Sequence, residues 1–247
     1  MIHQNSRTEL VMGPEALEIL KDKHVCIFGV GGVGGYVTEA LARSGVGTLD
    51  IVDNDDVALT NLNRQIIATR STLGRAKVDV LEQRIHDINP EIQVNKFQTF
   101  YMPECAHQFD LSKYDYVVDA IDTVTAKLDI IRRCSELGTP IISAMGCGNR
   151  FDPTQLVVTD IYKTSMDPLA KVVRRELRKS GVKKLKVVCS TEPPITPYTS
   201  EEKTAKRTVP GSTPFVPAAA GLIIASVVVR DLTQFNPADR IRGGKQD

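Results

Sequence analysis

Short apolar runs alternate with amphipathic segments along the chain from about residue 24. HVCIFGV (24–30), TLDIVD (48–53), EIQVNKF (91–97), YDYVVDA (114–120) and TPIISAM (139–145) are of strand length, rich in Val and Ile, and bounded by Gly, Asp or Pro. Between them the period lengthens. Val33, Val37 and Leu41 recur every fourth residue ahead of Gly45, and Val78, Leu81, Ile85 and Ile88 share one face ahead of Pro90, so both segments are expected to be helices. Strands alternating with helices at this spacing predict βαβ units and a parallel sheet covered on both faces. After Gly146 the rhythm changes. QLVVTDIY (155–162) and KLKVVCS (184–190) are further strand candidates, with DPLAKVVRRELRKSG (167–181) a helix between them. Residues 191–212 then carry four prolines and almost no aliphatic side chain, which predicts a long loop of the kind that is usually functional or disordered. An apolar helix ending near Leu232 is expected to close the core.

Composition narrows the class without naming a function. The chain has 247 residues, 42% hydrophobic and 25% charged, with a formal net charge of +1, enough to bury a full core without disulfide or metal staples. Wholesale attraction to a polyanion is not expected from that balance, although a local patch remains open. The longest apolar stretch, residues 215–229, is about 15 residues long and interrupted by Pro217, Gly221 and Ser226, short of the roughly 20 that span a bilayer. It reads as a buried helix, and no membrane span is expected. The N-terminal MIHQNSRTELVMG carries charges where an export signal would be apolar, so a cytoplasmic location is expected. Cys26, Cys105, Cys134, Cys147 and Cys189 are odd in number, with no CxxC pair, which suits free thiols and leaves no zinc-ligand spacing.

The chemistry concentrates in FGVGGVGGYVTEALARSGVGTLDIVDNDD (28–56). Gly29, Gly31 and Gly34 satisfy GxGxxG between a strand and a helix, with Gly32 inside the motif. Glycines there allow a tight turn and close approach of backbone N–H groups to a phosphate at the helix N-terminus. Asp53 follows at the end of the second strand, where a carboxylate can accept the hydroxyls of an adenosine ribose. The fold class expected is therefore α/β, a Rossmann-like, mostly parallel sheet with helices on both faces and a C-terminal α+β extension. Its divisions would be an N-terminal arm and helix (1–22), a nucleotide-binding half (23–146) and a second part (147–247) packed on the same core. The glycine motif alone does not separate NAD from ATP. Asp55 and Asp56 follow near the sheet's carboxyl edge, then Asn61, Asn63, Arg64 and Gln65, with Lys77 in LGRAKVD farther on and Asp122 just beyond a strand's carboxyl end. A dinucleotide site needs no pair of extra cations and no metal-binding acid, whereas attack on a triphosphate needs both to polarise the α-phosphate and neutralise the departing pyrophosphate.

GVGGVG, ALARSGVG, DNDDV, TNLNRQ, LGRAKV and the DAID at 119–122 together resemble the ubiquitin-activating-enzyme-like superfamily of MoeB, ThiF and HesA. That resemblance implies adenylation of a carboxylate by ATP and Mg²⁺, generally in a homodimer. It implies that Asp53 holds the ribose, that Arg64 and Lys77 hold the phosphates, that Asp122 holds magnesium, and that Asn61 orients the loop or touches a phosphate. Arg7, in SRTELVMG, looks like the family's N-terminal arginine, which reaches the γ-phosphate bound by the other subunit. The sulfur-carrier activators of this superfamily usually hold zinc on paired CxxC motifs, which this chain lacks. FDPTQLVVTDIYKTSMDPLAKVVRREL, VVCSTEPP and GSTPFVPAAAGLIIASVVVRDL are instead similar to the tRNA threonylcarbamoyladenosine dehydratase branch. In that branch the threonyl carboxylate of a modified adenosine is activated and cyclised.

A tRNA substrate requires a basic surface. Lys171, Arg174, Arg175 and Arg178 fall on one face of the predicted helix and are the candidate tRNA contacts, with Lys203, Lys206 and Arg207 of the proline-rich loop as the alternative. Cys189 and Cys147 lie near the sheet edge, where a thiol could accept sulfur, yet no His accompanies either, and both are read as structural. Three rivals remain at this point: a MoeB- or ThiF-type activator of a ubiquitin-like sulfur carrier, an NAD-linked dehydrogenase, and a nucleotide-binding scaffold without catalysis. A sulfur-transfer protein partner also stays open.

Overall fold

In a computed structural model, residues 2–199 and 210–241 are described. The N-terminal segment forms two helices rather than the one expected, α1 (Ser6–Met12) and α2 (Pro14–Lys21). Gly13, at φ 88°, turns the chain between them, and Pro14 starts α2 where its missing N–H costs nothing. Then follow β1 (His24–Phe28), α3 (Gly34–Ser44), β2 (Thr48–Val52), α4 (Lys77–Ile88), β3 (Gln93–Phe97), β4 (Tyr116–Asp119), α5 (Val124–Leu137) and β5 (Ile141–Ala144). The second part adds β6 (Leu156–Asp160), α6 (Pro168–Lys179), β7 (Lys186–Ser190) and α7 (Phe215–Thr233). The described ends of the proline-rich stretch form neither helix nor strand, and Lys203, Lys206 and Arg207 lie outside the described residues.

All seven strands join one sheet in the order β3-β2-β1-β4-β5-β7-β6. Every neighbouring pair is parallel except β6 with β7, so the edge strand β6 runs against the rest. Because side chains alternate along a strand, Val25 and Ile27 of β1 enter one core while Cys26 and Phe28 enter another. The first core holds α3, α4 and α7 on one face. The other face carries α5 and α6, whose Ile131, Ala170, Val173 and Leu177 pack with Val187 of β7. Among the described residues α7 is the one helix long and apolar enough to cross a membrane, and its Val216, Ala220, Ile224 and Val228 are fully buried against the sheet and α3. It packs closely because Gly221 lies against the Val33 carbonyl and Tyr36, with no room for a side chain.

One buried polar cluster fixes the sheet edge where β4 and β5 end. The Lys127 ammonium of α5, 0% exposed, donates to Asp119 Oδ2 (2.6 Å), Ser143 Oγ (3.2 Å) and the Ala144 carbonyl (3.0 Å), which uses all three of its hydrogens. Asp119 also accepts from the Ser143 hydroxyl and, at 3.3 Å, from the Ile121 N–H. Removing one member of such a buried pair costs about 3–5 kcal/mol. The turn that leads to Asp122 is thereby held to the sheet.

Candidate active site

The strand order reverses between β1 and β4, and open parallel sheets bind ligands in the crevice at that switch point. A cleft of about 370 Å³ lies there. Its glycine wall is built by backbone geometry. Gly29, at φ +84°, ends β1 in a left-handed turn, and a Cβ at this position would stand 2.8 Å from the Ala120 carbonyl oxygen. Gly31 and Gly32 line the cleft, with the Arg64 stem beside Gly32. Gly34 does not line it. A Cβ there would be driven into the Gly29 carbonyl, so this glycine brings α3 against β1 instead of facing a ligand.

Asp53, at the end of β2, is held by two amides, with Val30 N–H donating to Oδ2 and Asp55 N–H to Oδ1, both at 2.9 Å. Lys77 opens α4 with its own N–H bonded to the Asp55 carbonyl. Its ammonium, on a residue 4% exposed, lies 2.6 Å from Asp55 Oδ2 and 3.7 Å from Asp53 Oδ1. Two carboxylates therefore hold a nearly buried cation at the cleft. Asn61 ends a single helical turn, and its Oδ1 accepts from Ala58 N–H at 3.0 Å, which fixes the loop. Arg64 donates through Nη1 to the Thr60 carbonyl (2.9 Å) and to Asn63 Oδ1 (2.8 Å). Asn63 in turn donates to the Ser212 carbonyl (2.9 Å), which ties this loop to the segment before α7. Asp122, exposed after the β4 turn, completes the opposite wall.

Nine predicted positions, Gly29, Gly31, Gly32, Asp53, Asp55, Asn61, Arg64, Lys77 and Asp122, thus converge on one cleft from five segments of the chain. Arg7 is not among its lining residues; it is exposed on α1. Two contributors were not singled out from sequence as site residues. Gln65 is buried with its Oε1 unpaired beside Gly31. Tyr101, in the QTFYM run directly after β3, gives the cleft an aromatic wall packed on Phe28 and Phe109. Its hydroxyl donates to Asp129 (2.8 Å) and accepts from Arg133 (2.8 Å), and burial, with Asp129, raises its pKa well above the usual phenol range. Among the described residues there is no group of three or more His, Cys, Asp or Glu placed to hold a metal ion.

Of the predicted basic face, Lys171, Arg175 and Arg178 are exposed on α6, with Arg178 over the Tyr162 ring. Arg174 departs from that expectation: it is half-buried, and its guanidinium donates to the Thr164 carbonyl (2.7 Å) and hydroxyl. Asp167 caps α6 at the Ala170 N–H (3.0 Å) and also accepts from Gly146 N–H (2.8 Å), so the helix starts at the same sheet edge as the cleft. Burial pushes the Cys147 thiol up to about 12 and the Cys189 thiol up to about 11, so both are neutral near pH 7 and poor nucleophiles.

Comparison with known proteins agrees with this architecture. The model of the ThiF family matches residues 4–243. The chain is 46% identical to the tRNA threonylcarbamoyladenosine dehydratase of Bacillus subtilis, covering 98% of this chain and 99% of that protein, and 38% identical to that of Escherichia coli, covering 90% and 85%. The crystal structure of the E. coli dehydratase in complex with ATP superposes with a TM-score of 0.86 at 36% identity, covering 98% of this chain and 96% of that one. E. coli MccB shares the fold alone, at 21% identity and a TM-score of 0.68 over 96% of this chain and 66% of that one. The chain belongs to the ThiF family.

Proposed function

We propose that this protein is an ATP-dependent tRNA threonylcarbamoyladenosine dehydratase. The observation that carries the reading is the convergence of Asp53, Arg64, Lys77 and Asp122 on one cleft at the switch point, in a chain alike over its length to enzymes of that name. Asp53, preset by two amides, accepts the ribose hydroxyls. The turn from Gly29 to Gly32 and the start of α3 present N–H groups to the phosphates. Lys77 exchanges its exposed partner Asp55 for phosphate oxygens, and Arg64 moves from the Thr60 carbonyl and Asn63 Oδ1 to the same charge. The threonyl carboxylate attacks the α-phosphorus, pyrophosphate leaves, and an acyl-adenylate forms. An atom of the substrate's own urea then closes on the acyl carbon, and AMP leaves. The net change in the nucleoside is loss of water. Because the second nucleophile is intramolecular, the reaction needs no enzyme thiol, which suits the neutral Cys147 and Cys189.

Magnesium fits the donor set. Asp122 stands beside the phosphate cleft without a dedicated cage among the described residues, which matches the usual sharing of Mg²⁺ between one or two carboxylates and the phosphates. Asp122 would hold it, and the ion would neutralise charge on the phosphates. Asn61 keeps the Arg64 loop in place through its bond to Ala58. The decisive experiment is pyrophosphate release with ATP and threonylcarbamoyl-modified tRNA against unmodified tRNA. Release with neither removes the reading.

Two surfaces extend this proposal. On α6, Lys171, Arg175 and Arg178 would meet tRNA phosphates. Changing all three to Glu is expected to weaken tRNA binding steeply and to lower the slope of log K against log salt by about 3, with ATP affinity unchanged; filter binding across a salt series checks it, and an unchanged slope moves the tRNA surface elsewhere. On α1, Arg7 shares a face with Leu10 and Val11, which are 71% and 61% exposed. That face suits a second copy of the chain and would carry Arg7 to the partner's ATP. Mixed dimers of Arg7→Ala and Asp122→Asn chains, each inactive alone, then recover about a quarter of the normal rate, since half the dimers are mixed and each holds one intact site. No recovery after verified subunit exchange refutes the shared site. A reducing cytoplasm suits the five cysteines, all free.

A further inference from the structure

Arg150 lies in the loop that follows β5, on the same sheet edge as the cleft, and is 2% exposed. Its guanidinium makes one hydrogen bond, from Nη2 to the Met166 carbonyl at 3.0 Å. Nε and Nη1, which carry three hydrogens between them, are buried with no partner. No carboxylate stands within ion-pair distance of it among the described residues. The nearby Asp167 already accepts the Gly146 and Ala170 amides. An unpaired buried cation is among the costliest things a fold can hold, and natural interiors rarely keep one without a use.

The loop around it is fixed from both sides. Asn149, in the left-handed region at φ 57°, bonds through its N–H to the Gly211 carbonyl (2.8 Å), through its carbonyl to Ile195 N–H (2.8 Å), and through Oδ1 to Gly211 N–H (2.7 Å). Glu192 accepts the amides of Phe151 (3.0 Å) and Asp152 (3.1 Å). The guanidinium is therefore held in place by its backbone while its donors stay unused, which is the arrangement of a preorganised binding group. Met166, whose carbonyl it bonds, precedes Asp167, which accepts the Gly146 N–H just past β5, so the side chain lies near the carboxyl end of β5. β5, from which this loop departs, pairs with β4, the strand leading to Asp122, and β4 pairs with β1, the strand leading to Gly29.

We propose that Arg150 binds the carboxylate of the second substrate and presents it to the nucleotide. This deepens the dehydratase reading and rests on it. An oxyanion is what the unused donors require, a planar guanidinium suits a carboxylate better than an ammonium does, and desolvation strengthens the attraction. A tRNA backbone phosphate offers the same oxyanion chemistry, so the experiment includes both sources.

The test uses the full chain, ATP, and tRNA with or without the threonylcarbamoyl group. Arg150→Ala is expected to raise KM for the modified tRNA about 30-fold or more, to leave KM for ATP within about twofold, and to leave the affinity for unmodified tRNA unchanged. Methylguanidinium is expected to restore part of the loss. Arg150→Lys, which keeps the charge and guards against a folding defect, is expected to fall between. An unaltered KM for modified tRNA in both variants overturns the assignment, and so does an equal loss of affinity for both tRNAs, which would give Arg150 to a phosphate. If the unsubstituted chain releases no pyrophosphate with modified tRNA, it is the dehydratase reading that fails, and the carboxylate assignment falls with it.

Discussion

Asp122→Asn is expected to fold and bind ATP like the unsubstituted protein, yet to lose at least about a hundredfold, and as much as a thousandfold, of its pyrophosphate release with modified tRNA. Asp122 is exposed after β4, whereas the turn before it is held by Asp119, Lys127 and Ser143, none of which the substitution touches. Asparagine matches the carboxylate in shape and keeps one of its oxygens as an acceptor, so the fold is expected to survive the change. What disappears is one negative charge beside the phosphates. Magnesium shared between protein and triphosphate depends on such a carboxylate, and charge that builds on the departing pyrophosphate is then left to Arg64 and Lys77 alone. Parallel measurement of ATP affinity by calorimetry, melting temperature and pyrophosphate release separates the three effects. Full activity would refute the assignment of Asp122, and loss of activity together with a large drop in melting temperature would recast it as a structural residue.

The central strands were legible in sequence because each is buried on both faces, and such strands read as continuous Val- and Ile-rich runs. β6 has the same composition, but Val157 and Val158 are partly exposed on an edge strand that runs antiparallel, and neither edge position nor direction leaves a mark on a short apolar run. Asp53 and Asp122 could be placed at the cleft because each follows a strand whose end the pattern defines, whereas Lys77 entered through the LGRAKV resemblance. Gly34 was legible as a glycine of the motif, but whether its bare Cα faces a ligand or the Gly29 carbonyl is decided by how closely α3 meets β1. Helical period puts Arg174 with Lys171 and Arg178, yet its guanidinium is taken by Thr164, ten residues away and across a turn. Arg150 carries no motif at all: its interest lies in partners it lacks, a property of the packed interior alone.

Gly34→Ala is expected to impair both fold and nucleotide binding. The added methyl meets the Gly29 carbonyl, with the Gly29 carbonyl carbon at 2.9 Å and Ala120 Cβ at 3.3 Å. Neither partner is a flexible side-chain tip. Gly29 is already in a left-handed turn, closed by its own N–H to the Val52 carbonyl at 2.8 Å, so the relief must come from α3 moving off the sheet. Overpacking of this kind costs about 1–3 kcal/mol, which for a domain of this size lowers the melting temperature by roughly 2–12 °C. The same shift carries the first turn of α3 and its N–H groups away from the phosphates, and a displacement on the order of 1 Å costs about a hundredfold in rate. Gly31→Ala is the control. Its methyl would stand 3.6 Å from the Gln65 side-chain nitrogen, an ordinary contact, so its melting temperature should stay close to that of the unsubstituted protein even though it lines the cleft. If Gly34→Ala melts and binds ATP normally, close packing of α3 on the β1 turn is not what the motif's last glycine provides.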